Sequence, residues 1–170
     1  MLEINENTPI NIKLFHVNYN MHSKSKIMSD YCLNIAKKYN LEIYIEDCDS
    51  KKFKNTNIES QAREFRYNSL SKICIKNKIN YVLTAHHQDD QIETIYMAEK
   101  NKSSWVSKIG IRSNFVLHND DNIKVSLIRP MLNISKEKII QYASKNKLTY
   151  FDDPTNNDFK FLRNKIRYEI

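Results

Sequence analysis

Glycine is nearly missing from this chain. Gly110 stands alone in 170 residues, where average usage of about 7% gives roughly 12. No Walker A loop, GxGxxG turn or other glycine-rich phosphate cradle can be assembled from it. The three cysteines, Cys32, Cys48 and Cys74, form no CxxC pair and leave an odd number. They read as small buried side chains in a reducing compartment, the cytoplasm, rather than as a disulfide or zinc frame. No apolar run approaches the ~18 residues a membrane span needs. The opening MLEINENTPINIK has neither the basic nor the apolar region of a signal peptide.

What is present suits one globular domain. Hydrophobic residues make up 41% and aromatics 11%, enough for a core. Lysine and arginine number 27 against 20 acidic residues, a net charge of +7. Such a surface favours polyanions such as RNA, DNA or nucleotides, although a Lys- and Asn-rich composition also follows from low-GC coding.

The pattern of apolar positions alternates strand and helix. Ile10 to Val17 reads as a buried strand, Lys24 to Asn40 as a helix, and Leu41 to Glu46 as a second strand. Thr56-Asn57-Ile58-Glu59 matches a capping box that opens a helix to about Asn77. Ile79 to Ala85 is a third strand, followed by a helix from about Gln88 to Glu99. This rhythm predicts a Rossmann-like parallel sheet flanked by helices, an α/β fold. Beyond residue 100, Phe115–His118 and Ile123–Ile128 predict a hairpin around Asn119-Asp120-Asp121-Asn122. Ser135 predicts the cap of a helix to Asn146, Asp152-Asp153-Pro154-Thr155-Asn156 a break, and the remainder a final amphipathic helix. The expected organisation is a core over 1–112 and, over 113–170, the hairpin and a small C-terminal helical extension.

Chemistry gathers after the third strand, where open parallel sheets bind their ligands. In Ala85-His86-His87-Gln88-Asp89-Asp90-Gln91-Ile92-Glu93-Thr94, His86, Asp90 and Glu93 fall at i, i+4 and i+7 and share a helix face, with Asp89 one step round. A histidine with converging carboxylates can bind a cationic substrate, hold Mg²⁺ or move a proton. Two plainer readings compete: acidic residues complementing a helix dipole, and a transition-metal site using the His–Asp spacing.

That block resembles the AHHxDDQxET block of tRNA(Ile)-lysidine synthetases, members of the PP-loop ATP pyrophosphatase superfamily with an adenine nucleotide alpha hydrolase-like fold. Further blocks follow the family's order. His16-Val17-Asn18-Tyr19-Asn20 is similar to its HVNHxL segment, and Asn57 to Tyr67 to NxExxARxxRY. Arg129-Pro130-Met131-Leu132 with Ser135-Lys136-Glu137 resembles RPLL and SKEEI. Asp152 to Asn156 with Arg163-Asn164-Lys165-Ile166-Arg167 resembles the EDPTN…RNxIR ending.

The resemblance implies an ATP-dependent carbon–nitrogen ligase. ATP with Mg²⁺ would adenylate the wobble cytidine of the isoleucine tRNA with a CAU anticodon, and L-lysine would displace AMP at the base's second carbon. By position, His86 would lie near the phosphates, while Asp90 and Glu93 would bind the lysine amine and assist its deprotonation. Arg66 and Arg163 would join them as catalytic residues. His16, Asn18, Arg63, His87, Asp89 and Arg167 would line the nucleotide or tRNA, with no metal held by protein ligands alone. Arg63 has a plainer reading as a salt-bridged surface residue with Glu59 and Glu64 at hand.

Two departures stand out. The family's SGGxDS loop, whose amides cradle pyrophosphate, has no counterpart, and its RGxGxxGLxGM segment is reduced to Lys100–Ile111. The expectation is therefore a catalytic domain whose first strand and loop lie upstream of Met1, with stand-alone activity in question. The alternatives are a non-catalytic RNA-binding remnant and a thiolase-type tRNA-adenylating enzyme, the latter disfavoured by the missing CxxC pair. In that basic segment, Trp105 with Lys100, Lys102 and Lys108 can stack a base or simply pack.

Overall fold

Two sheets carry the fold in the computed structural model of the protein, which describes residues 1–7, 9–49, 53, 57–151 and 162–169. The chain divides into two compact units, Met1–Leu70 and Ser71–Ile170.

The first unit begins with α1 (Leu2–Asn7), β1 (Lys13–Asn18), α2 (Ser25–Lys38) and β2 (Glu42–Asp47). α2 is the crossover that lets β1 and β2 run parallel, in a register pairing Lys13 with Glu42 and Asn18 with Asp47. Val17, Ala36, Cys48 and Leu70 are buried here. α3 (Ile58–Lys76) begins in this unit and ends in the next. Thr56, the proposed cap of α3, lies outside the described residues.

The second unit continues with β3 (Tyr81–Leu83), α4 (Gln88–Lys100), α5 (Trp105–Lys108), β4 (Asn114–Asn119), β5 (Lys124–Ile128), α6 (Lys136–Lys145) and α7 (Leu162–Glu169). Its sheet has the order β3-β5-β4, with β3 parallel and β4 antiparallel to β5. The predicted hairpin is therefore present, and its second strand is the central one. Val125 and Leu127 of β5 have no exposed surface. At the hairpin turn, Asp120 Oδ1 accepts from the backbone N–H groups of Asn122 and Ile123, each at 2.8 Å.

The rhythm of the sequence located the strands and the hairpin pair, but not the partner of β3. Among the described residues, β3 pairs with β5 rather than with β1 or β2. β3 is also shorter than the span expected from Ile79 to Ala85, and at its start the Ile79 N–H is committed to Cys74 C=O at the end of α3. The predicted cap Ser135 accepts from Lys138 N–H and opens α6. The break at Asp152–Asn156 and the start of the last amphipathic segment lie outside the described residues.

Scarcity of glycine leaves a mark on every long helix end described. α2, α3, α4 and α6 are each followed by a left-handed residue: Asn40 (φ 51°), Lys78 (φ 54°), Lys102 (φ 49°) and Lys147 (φ 51°). In each, the next residue's N–H reaches back to the carbonyl five positions earlier: Leu41 to Ala36, Ile79 to Cys74, Ser103 to Ala98, and Leu148 to Ala143. These are Schellman endings, in which glycine is the usual left-handed residue. A lysine there costs roughly 1 kcal/mol in backbone strain.

Candidate functional site

The turn from β3 into α4 builds the centre of the second unit. Thr84 Oγ1 and His86 Nδ1 lie 2.9 Å apart, which fixes the imidazole beside the strand end. His87 is extended (φ −124°, ψ −177°) and precedes the first turn of α4. Its N–H donates to Asp90 Oδ2 at 3.0 Å, so Asp90 satisfies one of the amides that a helix start leaves open. Asp89 turns the other way and accepts from Lys136 N–H at 3.1 Å, joining the starts of α4 and α6.

One turn further on, Glu93 is buried, 4% exposed. Burying a carboxylate that deeply requires compensation, and α7 supplies it twice. Arg163 Nε donates to Glu93 Oε2 at 2.9 Å, and Arg167 Nε donates to Oε1 at 2.6 Å. The same guanidinium groups stand 3.9 Å from Asp90 Oδ1, and Arg163 also donates to Thr94 Oγ1 at 3.4 Å. Two carboxylates therefore face two guanidinium groups. Glu93 has both oxygens engaged, while among the described residues Asp90 Oδ1 has only long contacts to the arginines. α7 is held at its far end as well, by Lys100 Nζ donating to Glu169 at 2.7 Å.

The sequence singled out Glu93, Arg163 and Arg167 separately, but missed their pairing and missed Thr94. The i, i+4 spacing of the arginines was visible, whereas a carboxylate 70 positions away has no local signature.

A cavity of about 600 Å³ opens in the same unit, lined by residues including Gln91, Ile109, Ile111, Arg129, Pro130 and Leu132. Arg129 is 6% exposed and donates through one terminal nitrogen to Arg112 C=O at 2.6 Å. Beside it, Gly110 has φ +82°, and a Cβ built there would meet the Gln91 side chain at 2.7 Å. Gln91 clamps this bend by donating to Ile109 C=O and accepting from Ile111 N–H.

The other four candidates belong to the first unit. At the end of β1, Asn18 donates to Asp47 Oδ1 at 2.9 Å and accepts from Asn20 N–H at 3.2 Å. Burial pushes the pKa of His16 below its ordinary value, with Asp47 opposing the shift. On α3, Arg63 and Arg66 both lie over the Tyr67 ring, 4.8 and 5.4 Å from its centroid. Tyr19 OH donates to Ala62 C=O at 3.0 Å. Burial raises its pKa, and the Arg66 charge counters that rise.

Among the described residues, no group of three or more His, Cys, Asp or Glu side chains is arranged to hold a metal ion. None of the described helices is long and apolar enough to cross a membrane.

Parallel strands flanked by helices, with polar residues at the strand ends, define an α/β domain of the adenine nucleotide alpha hydrolase-like class. The PP-loop domain profile matches residues 1–170, and the chain belongs to that family. Similar proteins include the tRNA(Ile)-lysidine synthases of Blochmanniella floridana and Mesoplasma florum. The first is 33% identical over 95% of this chain and 30% of its own length. The second is 34% identical over 100% of this chain and 42% of its own. The chain thus spans well under half of these curated relatives. Among solved structures, the U34-tRNA thiolase NcsA from Methanococcus maripaludis, with its [4Fe-4S] cluster, is similar at a TM-score of 0.74. It is 18% identical, and the match covers 98% of this chain and 58% of that one.

Proposed function

We propose that this chain is the catalytic domain of a tRNA(Ile)-lysidine synthase. The observation that carries the reading is the similarity to enzymes of that name along 95–100% of the chain. The site chemistry agrees with it. ATP would activate the second-carbon oxygen of the wobble cytidine in the CAU-anticodon tRNA, forming an oxygen–phosphorus bond and releasing pyrophosphate. The amine of L-lysine would then form a bond to that carbon as the carbon–oxygen bond breaks and AMP leaves.

Asp90 is the carboxylate best placed to receive the lysine ammonium and take its proton. Among the described residues its Oδ1 has only 3.9 Å contacts to the arginines, whereas both Glu93 oxygens are occupied. Glu93 orients Arg163 and Arg167, whose guanidinium charge suits phosphate or the adenylated base. In the second unit His86, His87 and Asp89 are the proposed nucleotide or tRNA contacts, and in the first unit His16, Asn18, Arg63 and Arg66 are. Mg²⁺ would enter on the ATP phosphates and needs only one or two protein carboxylates. Asp89, with 45% of its side chain exposed, can supply one. The reaction belongs in the cytoplasm, where tRNA, ATP and free lysine meet.

The test is incubation of the full chain with ATP, Mg²⁺, labelled lysine and the CAU-anticodon tRNA transcript. The expected result is label that stays in the tRNA after nuclease digestion, as one modified cytidine. Pyrophosphate release without lysine attachment overturns the reading, and so does the absence of both once an SGGxDS strand and loop are supplied ahead of the chain.

A further inference from the structure

The segment from Lys100 to Arg112 contains four cations and no carboxylate. Lys100 is spent on Glu169, but Lys102, Lys108 and Arg112 make no ion pair among the described residues. In their midst Trp105 is 74% exposed, with Val106 at 45% and Ile109 at 52%. A tryptophan placed for packing would be covered, and this one is not. Trp105, Lys108 and Ile109 stand at i, i+3 and i+4 of a turn that stays helical through Ile109, so they share one face.

This face is anchored at both ends. The Schellman ending at Lys102 fixes its start on α4, and the Gln91 clamp around Gly110 fixes its finish on the same helix. A platform held in this way loses little freedom on binding.

We infer that the 100–112 face binds single-stranded RNA, with Trp105 stacking on an unpaired base and Lys102, Lys108 and Arg112 meeting the flanking phosphates. The occupant follows from the chemistry. An apolar protein partner would leave unpaired cations at the rim, and a free polyphosphate would leave the indole unused. An unstacked nucleotide strand uses both. The inference rests on the tRNA reading above and deepens it, since an anticodon loop is such a strand.

Trp105 is the only tryptophan in the chain, so its fluorescence reports on this face alone. The experiment titrates the full chain with an unstructured RNA heptamer and, separately, with tripolyphosphate, following emission and acrylamide quenching. The expected result is that RNA changes the emission and shields the indole, while tripolyphosphate does neither. Trp105→Ala should weaken RNA binding about tenfold, measured by anisotropy of a labelled heptamer, and Trp105→Phe should restore most of it. Lys108→Gln should reduce the log–log salt slope by about 0.7. The inference is overturned if RNA fails to bind, if it binds without shielding Trp105, if tripolyphosphate shields equally, or if Trp105→Ala binds like wild type. Lysine attachment measured in parallel separates the two readings. Attachment with a silent Trp105 removes only the RNA face, and a responsive Trp105 without attachment removes only the ligase.

Discussion

Arg163 donates from Nε to Glu93 Oε2 at 2.9 Å, joining residues 70 positions apart. With Arg167 on the other oxygen, this bond fixes α7 on α4. The arginines are 30% and 34% exposed at their side chains, against 5% for Glu93. The carboxylate is thus the member that depends most on the pair.

Replacing Glu93 by Gln should therefore destabilise the protein. Breaking a fully buried pair costs about 3–5 kcal/mol, and partial exposure of the arginines lowers the expectation to about 2 kcal/mol. Urea denaturation measures it. A double-mutant cycle with Arg163→Gln should give a coupling of about 1 kcal/mol. A coupling near zero would show that the geometry carries no energy.

Asp90 and Glu93 should separate functionally. Asp90→Asn keeps the acceptor for His87 N–H but removes the charge offered to an ammonium group. It should raise the KM for lysine and reduce attachment while leaving tRNA affinity within about twofold, since no phosphate contact is lost. Steady-state lysine attachment together with tRNA filter binding checks both. An unchanged lysine dependence would remove Asp90 from the amine site.

His16 should titrate below its ordinary value of 6.5, because burial disfavours the imidazolium. Between the lowered pKa and 6.5 the unfolded chain binds more protons than the folded one. The contribution of His16 to stability therefore falls as pH drops through this window and is recovered above 6.5. Asp47 opposes the shift, so Asp47→Asn should move the pKa lower still. NMR titration of the His16 ring reads both, and a value at or above 6.5 in the parent protein contradicts the assignment.

Glycine chemistry gives two predictions of opposite sign. Gly110→Ala places a Cβ against Gln91 at a φ of +82° and should cost about 1–3 kcal/mol. Lys147→Gly relieves a left-handed lysine at the end of α6 and should stabilise by about 0.5–1 kcal/mol. Thermal or urea unfolding of both variants tests the pair, and a destabilised Lys147→Gly would refute the strain argument.

Much of the local structure was legible because it is written in short-range periodicity and punctuation. The hairpin around Asp120, the Ser135 cap and the α4 block from Gln88 each depend on residues within a few positions of one another. The partner of β3 was not legible. β3 has only three residues, and nothing local distinguishes β5 from β1 or β2 as its neighbour. For the same reason the family resemblance named Arg163 and Arg167, yet gave no indication that they converge on Glu93.

By itself, the sequence determined the five strands and the longer helices, though not the short α1 and α5, that no glycine-rich loop is among them, and which polar residues stand at the strand ends. Tertiary structure alone decided three further matters: which strand completes the second sheet, which carboxylate is buried under two arginines, and that Trp105 faces solvent. The physical reason is common to all three. Periodicity and capping are settled by the few residues they involve, whereas burial and pairing depend on which distant segment comes to rest alongside.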